Sequence, residues 1–172
     1  MRYLVVSDNH GDRDILVQLV NHYKGQVDAM FHCGDSELEA SDPIWTHFTA
    51  AVKGNCDYGP GYPEVATKNT GQDVVFVTHG HLSNVRFGLT QLGLLAEQAG
   101  ADIALFGHTH EIGCEMHQGC LFLNPGSIRQ PRGPIQIQSY AIIESTSEHL
   151  AVQYYDRSFE AVPELHFTFA RS

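Results

Sequence analysis

Five short clusters in the chain carry side chains able to bind a metal ion: Asp8-Asn9-His10, Gly34-Asp35, Gly54-Asn55-Cys56-Asp57, His79-Gly80-His81 and Gly107-His108-Thr109-His110. In extended backbone, residues i and i+2 point the same way, so Asp8 with His10, and His108 with His110, can each present two donors to one small volume. Carboxylate oxygens together with imidazole nitrogens suit borderline first-row divalent ions better than calcium or magnesium. The glycines beside Asp35, Asn55, His79 and His108 let the backbone turn sharply and come close to an ion. Histidine is the compositional outlier, its 11 copies exceeding the 10 Lys and Arg together. The six outside the clusters, His22, His32, His47, His117, His149 and His166, read as satisfied core or surface residues.

The elements that must position these clusters are legible from apolar periodicity. Tyr3 to Val6, Ala29 to Cys33, Ala50 to Val52, Val74 to Val77 and Ile103 to Phe106 are short apolar runs, and each ends at one of the five clusters. Such runs read as buried strands. Ile15, Leu16, Leu19, Val20 and Tyr23 recur at helical spacing after a capping Asp12 or Asp14, with Gly25 as a stop, and Leu92, Leu95, Ala96 and Ala99 mark a second helix ending at Gly100. Residues 58–63, YGPGYP, predict a loop and a boundary between sheets. Leu121 to Leu123, Tyr140 to Ile143, Leu150 to Tyr155 and His166 to Phe169 predict later, antiparallel strands, with Cys114 and Cys120 on a hairpin. Alternating strands and helices followed by consecutive strands imply an α/β layered protein in which two sheets pack together. Ligands bind beyond the carboxyl ends of strands in such sheets, so the five clusters are expected to converge. Trp45 and Phe48 are expected to be ordinary packing.

The composition bounds what the chain can do. Its 172 residues amount to about one domain, and 42% hydrophobic with 17% charged residues is globular composition. A formal charge of -10 repels nucleic acid and anionic membranes, so neither tight nucleic-acid binding nor membrane association is expected. A short oligonucleotide or cyclic nucleotide stays compatible with it. Asp8 interrupts the N-terminal apolar run, which argues against a secretory signal, and no apolar run approaches the ~20 residues of a membrane span. Cys33, Cys56, Cys114 and Cys120 form no CxxC pair, and the expectation is reduced thiols and a cytoplasmic location.

In order, the clusters read DxH, GD, GNxD, HGH and GHTH, followed by Asn124-Pro125-Gly126-Ser127. Over residues 8–127 this resembles the calcineurin-like metallophosphoesterase superfamily, and more closely its small YfcE-like phosphodiesterases. The resemblance implies a single domain over residues 1–172 with the metallo-dependent phosphatase fold, a four-layer α/β/β/α sandwich of two mixed sheets. It implies that Asp8, His10 and His110 hold one divalent ion and Asn55, His79 and His108 a second, with Asp35 bridging. Manganese is foremost, with nickel, iron, cobalt or zinc possible. The implied activity is phosphodiester hydrolysis of a small substrate by a hydroxide that bridges the two ions. Alternatives are a phosphomonoesterase, or a non-catalytic metal-binding scaffold for protein partners, as in the retromer subunit the sequence also resembles. A homo-oligomer is compatible with either.

One departure concerns Cys56, where larger members carry a histidine that protonates the leaving group. His81, Asp57 and Cys56 are the candidate catalytic residues; in place of the missing histidine, His81 or a metal-bound water supplies the proton, or the leaving group needs none. Ser127 and Arg132, around the turn after the last strand-end cluster, are candidates for substrate contact. Arg86 has only its position after the HGH loop to recommend it.

Overall fold

The computed structural model describes residues 1–172. In chain order the regular elements are β1 (Arg2–Val6), α1 (Arg13–Tyr23), β2 (Ala29–His32), β3 (Ala50–Ala51), β4 (Val65–Asn69), β5 (Val74–Thr78), α2 (Thr90–Gln98), β6 (Ile103–Leu105), β7 (Ile112–His117), β8 (Cys120–Pro125), β9 (Ser139–Ser145), β10 (His149–Asp156) and β11 (Ala161–Ala170), with short 3-10 turns between some of them.

β1 shows why the layers form. Its Tyr3 and Val5 point to one face and Leu4 and Val6 to the other, and all four are fully buried. A strand without a polar face must be covered on both sides. On one side α1 covers it: Asp12 caps the helix by accepting from Ile15 N at 3.3 Å, and Ile15, Leu16, Leu19, Val20 and Tyr23 pack on Leu4 and Val6. On the other side lies a second sheet, and Tyr3 and Val5 join Val75, Val77, Ile103, Leu105, Leu121 and Leu123 in the largest core cluster. α2 then covers the outer face of that sheet with Leu92 and Ala96 against Phe76, Ala104 and Phe122. The result is the α/β/β/α sandwich.

Both sheets are mixed. The first has the order β11-β10-β9-β1-β2-β3 and the second β4-β5-β6-β8-β7. β1, β2 and β3 are parallel, as are β5, β6 and β8, so the carboxyl ends of the strands that precede the five clusters all open on one edge of the sandwich. Residues 58–63 do separate the first three strands from the second sheet, but β9, β10 and β11 return to the first sheet by antiparallel pairing on β1. β4 is a strand that apolar patterning does not mark, because only Ala66 of its five residues is even half-buried at this sheet edge. Leu95, one of the residues that mark α2, is 38% exposed, because the helix turns Leu92 and Ala96 rather than Leu95 to the sheet. Trp45 and Phe48 pack edge-on against His32, as ordinary packing requires. No helix is long and apolar enough to cross a membrane.

A polar peg ties the sheets together. Asp73, buried at the turn between β4 and β5, accepts from Tyr3 Oη at 2.5 Å and Ser145 Oγ at 2.6 Å, and from the Arg171 guanidinium. Burial and the adjacent Asp73 carboxylate push the Tyr3 phenol well above its usual range, so it stays a donor. Removing the carboxylate would take an acceptor from three buried or half-buried donors, of which Tyr3 Oη keeps Thr70 Oγ1 at 2.7 Å and Arg171 keeps Ser145 Oγ at 2.6 Å, at a cost of about 2 kcal/mol. Asp73→Ala is therefore expected to lower the urea unfolding midpoint by that amount of stability with the slope unchanged. A loss below about 1 kcal/mol would show that the peg is replaceable.

Candidate metal centre

The five clusters meet at the open edge. Asp8 Oδ1 lies 3.3 Å from His110 Nε2, 3.6 Å from His10 Nε2 and 3.9 Å from His79 Nε2. Asp35 Oδ2 lies 3.2 Å from His79 Nε2 and 3.9 Å from His10 Nε2. Asn55 Oδ1 sits 3.0 Å from both His79 Nε2 and His108 Nδ1, and His10 Nε2 is 3.0 Å from His110 Nε2. All seven expected ligands thus occupy one volume, with Asp35 between the His10 side and the His79 side.

The ring orientations decide what that volume can hold. His79 donates its Nδ1 proton to Cys33 O at 2.7 Å, and His110 donates its own to Gln130 O at 2.7 Å. Rings tied down by Nδ1 in this way turn Nε2 toward the centre. There His79 meets Asp35 Oδ2 and Asn55 Oδ1, and His110 meets Asp8 Oδ1. Each of these contacts needs positive charge between its atoms, supplied by a proton on Nε2 or by a bound cation. Asp8 Oδ1 is buried and has no hydrogen bond at all. This unpartnered oxygen and the surrounding nitrogens fit a divalent ion.

The titration shifts show the same need for positive charge. Burial raises the Asp8 carboxyl, but the imidazoles of His10, His110 and His79 outweigh it and hold it far below the usual carboxylate range. Asp35 is likewise lowered by His79 against the upward push of burial. His10 is raised, chiefly by Asp8. His79 is raised too, by Asp35 and Asp8 against the effect of burial. His108 goes the other way, to about 4, through burial, His79 and Arg86, so it is neutral and able to ligate.

The backbone is shaped for the ions. Asp8, His10, Asp35, His108 and His110 all have positive φ, from 41° to 73°. Non-glycine residues in this region cost on the order of 1 kcal/mol or more each and gather at functional sites. Cross-loop bonds hold them: Asp8 N donates to Gly34 O at 3.1 Å, His10 N to Asp35 O at 3.1 Å, and His108 N to Asp8 Oδ2 at 3.2 Å. Gly54 has to be glycine, because a Cβ there would fall 2.1 Å from Asp35 Oδ1.

Two expected roles change with the geometry. Asp57 was a catalytic candidate, but its carboxylate accepts Asp35 N at 2.9 Å, Gly54 N at 2.8 Å and Glu37 N at 2.9 Å, so it braces the loops of two ligands. Ser127 was a substrate contact, but it is fully buried; its Oγ donates to Asp8 O at 2.8 Å and accepts from Gln130 N at 2.8 Å. It positions the Asp8 backbone. Cys56 lies within the span of His10 and Asp35, and its thiol is pushed up to about 11 by burial and Asp35. His81 stands beside His79, ring centroids 5.4 Å apart, with Nδ1 buried and unpartnered. Arg132 is exposed, its N–H donating to His110 O at 2.9 Å.

Two neighbours of the centre have no place in the motifs, and a third, Arg86, is suggested there by position alone. Glu37 Oε2 is 3.4 Å from His10 Nδ1, and its i+2 spacing from Asp35 was the available signal. The Arg129 guanidinium donates to His10 O, two residues beyond Ser127. Arg86 Nε donates to His108 Nε2 at 3.2 Å, which turns a merely positional candidate into a contact. Beneath the centre, His32 accepts Gly34 N on Nδ1 at 3.0 Å and therefore donates from Nε2 to Asn9 Oδ1 at 2.7 Å.

Such a centre, at the parallel strand ends of two packed sheets, defines a metal-dependent phosphoesterase class. The chain belongs to the calcineurin-like phosphoesterase superfamily, whose domain model matches residues 1–148. It is 38% identical over 165 residues to the probable metallophosphoesterase YsnB of Bacillus subtilis (strain 168), covering 96% of each chain. A crystal structure of a conserved uncharacterized protein from Streptococcus pneumoniae TIGR4, a predicted phosphoesterase, superposes with a TM-score of 0.96 at 40% identity, over 99% of this chain and 97% of that one. Vps29 of Chaetomium thermophilum shares the fold, with a TM-score of 0.77 at 16% identity over 100% and 98% of the two chains.

The His32 environment yields a pH prediction. Burial lowers His32 from 6.5 to about 4, so folding favours its neutral form. Its contribution is complete above the unfolded value of 6.5 and is lost as pH falls toward 4. Between these limits wild type should lose about 3 kcal/mol more unfolding free energy than His32→Gln, measured by urea titration at a series of pH values. Parallel profiles would contradict the neutral assignment.

Proposed function

We propose that the centre hydrolyses phosphodiester bonds with two divalent ions as cofactors, manganese foremost. The observation that supports this best is the disposition of seven donors from five strand ends around two adjoining positions that share Asp35. Asp8, His10 and His110 would hold one ion, and Asn55, His79 and His108 the other. Bound there, two divalent ions supply an activated water near neutral pH and neutralise the phosphoryl oxygens.

The chain's own residues do the rest. Asp57, Ser127 and the carbonyls of Cys33 and Gln130 fix the ligands before substrate arrives, so little reorganisation is left for the reaction. Arg86, beside His108, offers a guanidinium to an incoming phosphate on a chain whose formal charge is -10. His81 stands beside His79, and since its Nδ1 is buried, Nε2 is the atom that would hand a proton to the leaving oxygen. Cys56, standing where larger relatives place an imidazole, favours substrates whose leaving group asks little of an acid. A diester fits this better than a monoester, because its single negative charge is less opposed by Asp8, Asp35 and Glu37.

Hydrolysis of bis-p-nitrophenyl phosphate against p-nitrophenyl phosphate by metal-stripped protein, with single metals added back, tests the reading. Diester turnover is expected to depend on metal, to exceed monoester turnover, and to fall by about a thousandfold or more in Asp35→Asn. Tight metal binding with no diester turnover under any metal would favour a protein-binding scaffold on the same fold.

A further inference from the structure

The distribution of arginines carries information about the substrate that the metal ligands do not. The chain has seven. Four lie away from the centre and each is ion-paired: Arg2 with Glu144 at 3.5 Å, Arg13 with Asp42 at 2.8 Å, Arg157 with Asp12 at 2.8 Å, and Arg171 with Asp73. The other three, Arg86, Arg129 and Arg132, are exposed and have no carboxylate partner. All three belong to segments tied to the ligands, through His108 Nε2, His10 O and His110 O respectively. In a chain with twice as many acidic as basic residues, 20 against 10, leaving these three guanidiniums unpaired reserves them for an anion from outside.

One phosphodiester carries one negative charge, and Arg86 beside His108 can meet it. On the other side of the centre the Arg129 guanidinium meets His10 O, and the main chain of the exposed Arg132 meets His110 O. They call for a second anionic group. The two most exposed large hydrophobic side chains adjoin residues of the centre in sequence: Phe87, 89% exposed, follows Arg86, and Tyr58, 88% exposed, follows Asp57. Exposed aromatics beside cationic groups are what a nucleobase next to its phosphate requires, since stacking tolerates any base and the guanidiniums take the phosphate.

We propose that the substrate is a nucleotide-containing phosphodiester bearing at least one phosphate besides the scissile one, with Arg129 and Arg132 holding the extra phosphate and Phe87 or Tyr58 stacking on a base. The proposal rests on the phosphodiesterase reading and narrows its substrate class. It agrees with the overall negative charge, which opposes a long duplex but not a single short nucleotide held at a locally positive rim.

Binding to the manganese-loaded protein, measured by calorimetry, tests it without turnover. Thymidine 3′,5′-bisphosphate should bind at least about tenfold more tightly than thymidine 5′-monophosphate. The double variant Arg129→Gln, Arg132→Gln should bring the two within about twofold, and Phe87→Ala with Tyr58→Ala should weaken both nucleotides while leaving inorganic phosphate unchanged. Equal affinities in the wild type, a preference that survives the arginine variant, or no binding of either nucleotide would overturn the proposal. Diester turnover without the bisphosphate preference removes only this proposal. A preference without turnover removes the hydrolytic reading and, with it, the claim that the bound nucleotide is a substrate.

Discussion

Asp8 Oδ1, Asp35 Oδ2 and Asn55 Oδ1 face ring nitrogens of His110 and His79 at 3.0–3.3 Å, because carbonyls of Cys33 and Gln130 hold both rings by their other nitrogens. So dense a set of donors needs positive charge among them, from ring protons or from bound cations, and the rest of the molecule serves to keep them there. Five ligands take left-handed backbone angles, a strain that the free chain would release at once. The fold opposes that release from both sides of the centre. β1 is buried on both faces and delivers Asp8 at a fixed depth, while the backbone of the GD loop bonds to the DxH loop and the Asp57 carboxylate to the GD and GNxD loops.

Packing and chemistry are therefore coupled through short paths. The apolar layers set the strand ends in register, the parallel order of β1, β2 and β3 beside β5, β6 and β8 opens all the loops on one edge, and buried polar groups adjust the last ångström. His32, Asn9, Ser127 and Asp57 belong to this last group. None is among the candidate ligands, yet each fixes a backbone segment beside them. Charge completes the picture: the acidic chain pairs its remote arginines and leaves those at the rim free for an anionic ligand.

The ligands themselves were readable because a metal centre needs particular donor atoms at strand ends, and periodicity locates those ends. Asp8 to His10 and His108 to His110 announce themselves by i, i+2 spacing. Asp57 and Ser127 were misread because a side chain that braces a loop has the same residue type as one that touches substrate, and only the identity of its partners separates them. Arg129 and Arg86 were missed or undervalued because a lone loop arginine has no periodicity. β4 was invisible because an exposed edge strand of polar residues lacks the alternation that burial imposes, and the return of β9, β10 and β11 to the first sheet depends on long-range pairing to β1 that no local pattern encodes.

The central claim is that the centre is built for two cations that share Asp35. X-ray anomalous scattering from crystals of the manganese-loaded protein tests it most directly. The account predicts two peaks about 3.5–4 Å apart, one among Asp8, His10 and His110 and the other among Asn55, His79 and His108, with Asp35 touching both. A single peak at saturating manganese, or ions that leave Asp8 Oδ1 without a partner, would contradict it.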